Sequence, residues 1–484
     1  MSTAIEGLKP ELVWKYFAAI SAIPRPSKHE EAMTKYVLDT AKNLGLRAKA
    51  DKFGNVVVKK PSSAGREAVR SVCLQGHLDM VAEANKDKVH DFMKDPIELV
   101  RKGNVLMANG TTLGADNGIA VATNLAIMED RSLEHGPLEF LFTIDEETGL
   151  TGASNLSAGF LESKTLMNLD SEEEGSIYVG CSGGKDSTAS WKVDFEKAPA
   201  QTLAAQVRVA GLKGGHSGLE IDKGRGNAVK ILNRALMALE EFGARLSHIE
   251  GGNKHNAIPR EAEAVVFIPK KKWKVAAEAV IRFNMIAKAE ISTVDPDLNI
   301  TIEEVKVKKG KVMKKGLQKK LLQTIAALPH GVTKMSADIP GLVETSTNVA
   351  VIKTDKKSIG MVTSQRSSVA SEIDEIVHTV SCIFELGGAK VTHGDGYPGW
   401  KPNLDSEILK IARSTYKSLY GKEAEVKAIH AGLECGIIGE RMQGMDMISF
   451  GPTLEGVHSP DEKIYLDTVE KFWNFLLAIL RNVT

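Results

Sequence analysis

The segment Leu141–Leu150, LFTIDEETGL, ends an apolar run in three consecutive carboxylates, Asp145, Glu146 and Glu147. Like charges packed side by side repel, and the end of a strand offers them no obvious relief. Other short motifs carry groups that could relieve them by sharing cations. LQGHLDMV places His77 and Asp79 two apart after an apolar strand, so both side chains face one way and Asp79 can orient the imidazole. GTTLGADNGIAVA sets Asp116 in a glycine-flanked turn ahead of a helix, where an N-cap role is an equally adequate reading. LMNLDSEEEG presents Asp170 directly after apolar residues, while Glu172, Glu173 and Glu174 read as a solvated acidic turn. GPTLEGVHSPDE holds His458 in a Gly/Pro-rich loop. Imidazole and carboxylate donors at strand ends and helix starts suit hard and borderline divalent cations.

Such groups need a scaffold to bring them together. Leu12, Val13, Tyr16, Phe17 and Ile20 recur at helical spacing after Pro10, predicting an amphipathic helix to about Ile20. IPRP ends it, and SKHEE offers Ser27 as N-cap with Glu30 three residues on, the pattern of a capping box for a second helix toward Gly45. Short apolar segments at 55–59, 72–75 and 138–144, interleaved with a helical stretch over 118–128, predict an α/β layer with buried strands. Catalytic groups of such a layer lie at strand ends.

From about Lys185 the texture changes to alternating strands such as QTLAAQVRVAGL and EAEAVVFIP, with helices over 228–242 and 275–289. Turn formers in HGDGYPGWKP close this region, and the apolar elements then resume. The chain therefore divides into a catalytic domain in two segments, 1–184 and 395–484, interrupted by an α+β domain at 185–394, long enough for two lobes.

Composition excludes several classes. Lys plus Arg and Asp plus Glu both number 62, so no global basic field exists to hold nucleic acid or an anionic membrane. The lysine-rich stretch Lys306–Lys320 reads as a solvated edge strand and helix start. The cysteines Cys73, Cys181, Cys382 and Cys435 are scattered, without a CxxC pair, which predicts free buried thiols. No secretory segment or membrane span is apparent, and the cytoplasm is the expected location.

Taken together, HLDM, GADNG, DEETG, NLDSEEEG, GGHSG, NAIPRE, HAGLECG and VHSPDE span most of the chain in an order that resembles the dinuclear zinc M20 peptidases, most nearly their cytosolic dipeptidase branch. The resemblance implies an α/β zinc-peptidase domain with a mixed sheet flanked by helices, interrupted by a lid. It implies two Zn2+ per subunit, with Co2+ or Mn2+ as possible substitutes. Asp116 would bridge the ions, His77 and Asp170 completing one shell and Glu147 and His458 the other. Asp79 would support His77, and Glu146 would be the general base. The peptide bond after the bridging aspartate would be cis. His216 in GGHSG would stabilise the oxyanion, and Asn256 and Arg366 would hold the substrate backbone and C-terminal carboxylate.

On this reading the acidic cluster is compensated by four cationic charges, and along an extended segment Glu146 and Glu147 point to different sides. Asp145 is left for a surface or hydrogen-bonding role. Glu434 in HAGLECG could pair with a free substrate amine or make a buried structural hydrogen bond, and His430 shares that ambiguity. The expected enzyme is a homodimeric metallodipeptidase acting on unblocked Xaa-Yaa dipeptides, including Xaa-His, with no nucleic-acid or membrane partner. An N-acyl amino acid amidohydrolase is the rival within the enzyme class, and a non-catalytic metal-dependent peptide-binding protein is the rival outside it.

Overall fold

The computed structural model describes residues 3–307 and 310–484; Lys308 and Lys309 of the lysine-rich stretch lie outside them. The chain divides into two compact units. The first comprises the residues up to Gly180 with Trp400–Ala428 and Leu433–Thr484, and the second comprises Cys181–Gly399 with the short piece Ile429–Gly432.

The first unit is built on a mixed eight-stranded sheet in the order Arg47–Ala50, Val56–Lys60, Leu138–Thr143, Val72–His77, Thr165–Asn168, Asp446–Ser449, Ser176–Cys181, Glu425–Ile429. Val72–His77 runs parallel to both neighbours, with His77 opposite Thr143 and Gln75 opposite Asn168. Three parallel strands therefore end at one edge of the sheet and deliver His77, the carboxylates after Thr143, and Asp170 to the same place. All three strands are fully buried, which is why their sequences are continuous apolar runs.

Helix Glu11–Ser21 buries Val13, Phe17 and Ile20 and packs against helix Ala115–Glu129. Pro10 is its N-cap residue. Helix Ala115–Glu129 lies closely on strand Val72–His77 at Gly76: a Cβ there would sit 2.5 Å from Asn117 Oδ1 and 2.8 Å from Ala120 Cβ. A smaller four-stranded sheet joins Leu454–Glu455, Lys463–Tyr465, Val105–Ala108 and Leu99–Lys102, and its hairpin carries His458.

In the second unit one nine-stranded sheet is formed. Its two halves meet through a short antiparallel register, Glu250 opposite Lys353 and Gly251 opposite Ile352. One apolar core runs through both halves and includes Leu232, Leu236, Leu321, Val349 and Phe384.

Local expectations fail at three points. The capping box at Ser27 does not form: the second helix, Glu31–Asn43, starts with Glu30 at its cap and no side-chain cap bond. Ser27 Oγ instead donates to Asp79 Oδ2 at 2.8 Å, and Glu30 Oε1 accepts the backbone N–H of Asp145 at 3.1 Å. Residues Glu146–Gly149 are a helical turn, not an extended segment, because Asp145 turns the chain through the left-handed region at φ 49°. Cys73, Cys181 and Cys435 are buried and in no disulfide, but Cys382 is only half-buried. The rest of the lysine-rich stretch holds strand Lys311–Met313 and the start of helix Lys315–Ala327. Among the described residues no helix is long and apolar enough to cross a membrane.

Candidate metal centre

Asp116 is the residue on which the cluster turns. It lies at the start of helix Ala115–Glu129 with non-helical backbone angles, and the Asp116–Asn117 peptide is cis. The N-cap residue of this helix is Gly114, so the N-cap reading of Asp116 does not hold. Its Oδ1 lies 3.2 Å from His77 Nε2 and its Oδ2 lies 3.1 Å from His458 Nε2. His77 Nε2 also faces Asp170 Oδ1 at 3.4 Å, and His458 Nε2 faces Glu147 Oε2 at 3.0 Å. The donor atoms of His77, Asp116 and Asp170 lie within 4.8 Å of one another, and so do those of Asp116, Glu147 and His458. A third such group joins His77 to Glu146 and Glu147. Five side chains dispersed from position 77 to position 458 thus form two triads sharing Asp116, with Glu146 beside them.

The strand ends are held by hydrogen bonds that do not use these donor atoms. Asp79, wholly buried, places Oδ1 3.3 Å from His77 Nδ1 and accepts the backbone N–H groups of Glu146 and Glu147 at 3.0 and 3.2 Å. Burial opposes its ionisation, but His77 and these donors hold its carboxyl down to about 2. Asp145 is not on the surface: its carboxylate accepts the hydroxyls of Thr148 and Thr151. Glu30, Asp79 and Asp145 also cluster closely enough for a cation. Their oxygens, however, are engaged by Ser27, Thr148, Thr151 and backbone N–H groups, so this second cluster is scaffold.

The donor set at Asp116 fits divalent cations. Each ring nitrogen of the two triads faces two carboxylate oxygens at once, which a single N–H serves poorly and a cation at that point would serve fully. Buried Glu147 Oε1 and Asp170 Oδ1 have no hydrogen-bond partner. The uncompensated charge shows in the titration of the cluster. Bonds to Asp116 and Glu147 push the His458 imidazole up to about 11, and burial beside other carboxylates pushes Asp170 up to about 7. Burial, with Asp170, Glu434 and Glu147 close by, raises Glu146 well above the carboxylate range. Glu172 and Glu173 are exposed, in keeping with the solvated acidic turn read from the sequence, while Glu174 is half-buried.

Glu434 opens helix Glu434–Arg441 and is wholly buried. Its Oε2 accepts Gln75 Nε2 and Thr143 Oγ1, both at 2.6 Å, whereas its Oε1 has no partner. Both sequence readings of this residue therefore keep an oxygen each. Burial raises its carboxyl to about 7.

Within the second unit, His216 follows Gly214 and Gly215, and its Nδ1 accepts the backbone N–H groups of Gly218 and Leu219 at 3.2 and 3.0 Å. The proton of the neutral ring is thereby placed on Nε2, which is left as a donor. Burial and the Arg366 charge lower this imidazole to about 4, so it is neutral at pH 7. Arg366, on strand Ser358–Ser367, is buried and donates to Tyr397 Oη at 2.7 Å. Asn256 is half-buried in the turn before Ala257, its carbonyl accepting Ser217 N–H at 2.9 Å. His430 pairs with Ser346 Oγ at 2.7 Å and is lowered to about 3 by burial, Arg366 and His216. Tyr397 and Ser346 had no sequence signal, since a tyrosine in a turn and a serine in a strand are commonplace.

Residues 73–482 match the peptidase family M20/M25/M40. The chain belongs to this family. It is 40% identical to the cytosol non-specific dipeptidase of Escherichia coli (strain K12) over 477 residues, 98% of each chain. The crystal structure of the aminoacylhistidine dipeptidase of Vibrio alginolyticus superimposes with a TM-score of 0.92 at 41% identity, covering 99% of this chain and 98% of that one. A tripeptidase of Staphylococcus aureus, 16% identical with a TM-score of 0.61 over 98% of this chain and 99% of its own, shares the fold.

Proposed function

We propose that this M20 chain is a metallodipeptidase that hydrolyses the peptide bond of unblocked Xaa-Yaa dipeptides, Xaa-His among them. The observation that carries the reading is the pair of donor triads sharing Asp116, with Glu146 beside them. The names of the relatives in Escherichia coli and Vibrio alginolyticus support the substrate class. His77, Asp116 and Asp170 would hold one Zn2+, and Asp116, Glu147 and His458 a second, with Co2+ or Mn2+ as possible substitutes. Bound there, two divalent ions would supply Lewis acidity toward water and the scissile carbonyl.

The chain's own residues do the rest. Glu146, beside the two triads, takes a proton from the attacking water and delivers it to the leaving amine. Asp79 orients His77 and, through two backbone N–H bonds, the turn that bears Glu146 and Glu147. His216 donates its Nε2–H to the developing oxyanion. Arg366 takes the substrate carboxylate through its planar fork, and Asn256 takes the substrate backbone. Glu434 offers its free Oε1 to the substrate α-amine. The resemblance further implies a cytoplasmic homodimer, which sedimentation and fractionation test.

Assaying an Xaa-His dipeptide, a simple dipeptide and an N-acetyl amino acid, before and after exhaustive chelation, tests the reading. Hydrolysis of both dipeptides, lost on chelation and restored by zinc, is expected. Preference for the N-acetyl substrate would make the protein an amidohydrolase, and undiminished turnover after chelation would end the proposal.

A further inference from the structure

Glu462 is buried, and its carboxylate accepts four successive backbone N–H groups. Oε2 takes Leu113 and Gly114 at 2.7 and 2.9 Å, and Oε1 takes Ala115 and Asp116 at 2.7 and 3.3 Å. These are the residues that lead into and include Asp116. Glu462 itself stands at the base of the hairpin that carries His458: Leu454–Glu455 pairs with Lys463 and Ile464, and Lys463–Tyr465 pairs with Val105–Met107. The loop is braced within itself, Glu462 N–H donating to Ser459 O at 3.0 Å.

On its other side the same turn meets Arg25, which is also buried. The Arg25 guanidinium donates to Gly114 O through Nη2 and to Leu78 O and Asp79 O through Nη1, the last two at 3.0 and 2.9 Å. A Cβ on Gly114 or on Gly118 would lie 2.6 Å from Arg25 Nη2, so both glycines make room for it. The Leu113–Asp116 turn is gripped between a carboxylate tied to the His458 hairpin and a guanidinium tied to the His77–Asp79 strand end.

We infer that Glu462 is a positioning residue for the cation pair, setting the separation of Asp116 from His458, and that Arg25 does the same for Asp116 and the His77–Asp79 strand end. The inference rests on the metal-site reading above. The Asp116 and His458 side chains approach to 3.1 Å although their backbones belong to separate elements, and Glu462 ties the backbone of one to the base of the other through hydrogen bonds. A carboxylate is required for this task. Only an acceptor with two oxygens can take four N–H groups, and the amide nitrogen of glutamine would meet two of them donor to donor.

The test is zinc affinity, measured by competition with a chromophoric chelator, for the wild-type chain, Glu462→Gln, Glu462→Asp and Lys60→Met. Lys60 caps the far end of helix Ala115–Glu129, its Nζ donating to Ile127 O and Asp130 O at 2.6 Å, so its loss weakens the same helix without touching the turn. Glu462→Gln should weaken zinc binding about 10- to 100-fold. Its kcat should recover at saturating zinc with KM within about twofold of wild type. Glu462→Asp, which keeps the charge but is one methylene short, should fall between and serves if the glutamine variant does not fold. Lys60→Met should lose thermal stability while keeping zinc affinity within about twofold. Wild-type affinity in both Glu462 variants, or an equal loss in Lys60→Met, overturns the inference. A wild-type chain that takes up no zinc would instead overturn the reading of the metal site.

Discussion

Asp79 Oδ1 accepts the backbone N–H of Glu146 at 3.0 Å. Through this bond the end of strand Val72–His77 fixes the first residue of the turn Glu146–Gly149, so the orienter of His77 also orients the candidate base. The two strand ends behave as one unit, because a single carboxylate serves an imidazole and two amides.

If Glu146 moves the proton of the attacking water, Glu146→Gln removes that transfer while leaving size and backbone bonds unchanged. Turnover should fall about 10²- to 10⁴-fold, with zinc content by atomic absorption unchanged. Normal turnover removes Glu146 from the role.

Glu434 keeps one oxygen bound by Gln75 and Thr143 and one free. Glu434→Gln should raise KM for unblocked dipeptides by more than it raises KM for N-acylated amino acids, since only the former bring a cationic amine. Equal changes for both substrates would return Glu434 to a structural role.

Gly76 lies under helix Ala115–Glu129, next to His77. Gly76→Ala drives a methyl group against Asn117 and Ala120 and should cost about 1–3 kcal/mol of stability, read from urea unfolding. An unchanged midpoint would mean the helix shifts away freely.

Three histidines of the second unit should contribute a loss of stability in acid. Burial holds His216 to about 4, His330 to about 4 and His430 to about 3, assisted by Arg366 at His216 and His430 and by Lys230 at His330. Unfolded, each titrates near about 6.5. At these three positions the unfolded chain binds more protons than the folded one between about pH 6.5 and 4, so their contribution to stability falls as pH falls through that window. Between pH 7.5 and 5 the urea midpoint of His330→Gln should shift less toward instability than that of the wild-type chain. An equal pH dependence in the variant and the wild-type chain contradicts the assignment.

The buried strands were legible from their continuous apolar runs, and the residues that cluster at Asp116 were legible as His, Asp and Glu at strand ends, at a helix start and, for His458, in a loop that only the joint motif pattern singled out. Ser27 shows where local pattern stops. Its spacing to Glu30 satisfies a capping box, yet the hydroxyl goes to Asp79, since a buried carboxylate outbids a helix end that water can serve. The Glu146–Glu147 pair shows the same limit: an apolar strand announces its own continuation, and the turn is set by Asp145, whose side chain is captured by Thr148 and Thr151.

By itself the amino-acid order determined which groups could bind cations, the strand ends they occupy, and, through the joint run of motifs, the family. Only the tertiary structure decided that Glu462 and Arg25 grip the Asp116 turn and that Glu30, Asp79 and Asp145 are scaffold. The physical reason is that a carboxylate carries no address in sequence. Its role is settled by the donors that three-dimensional packing brings within about 3 Å.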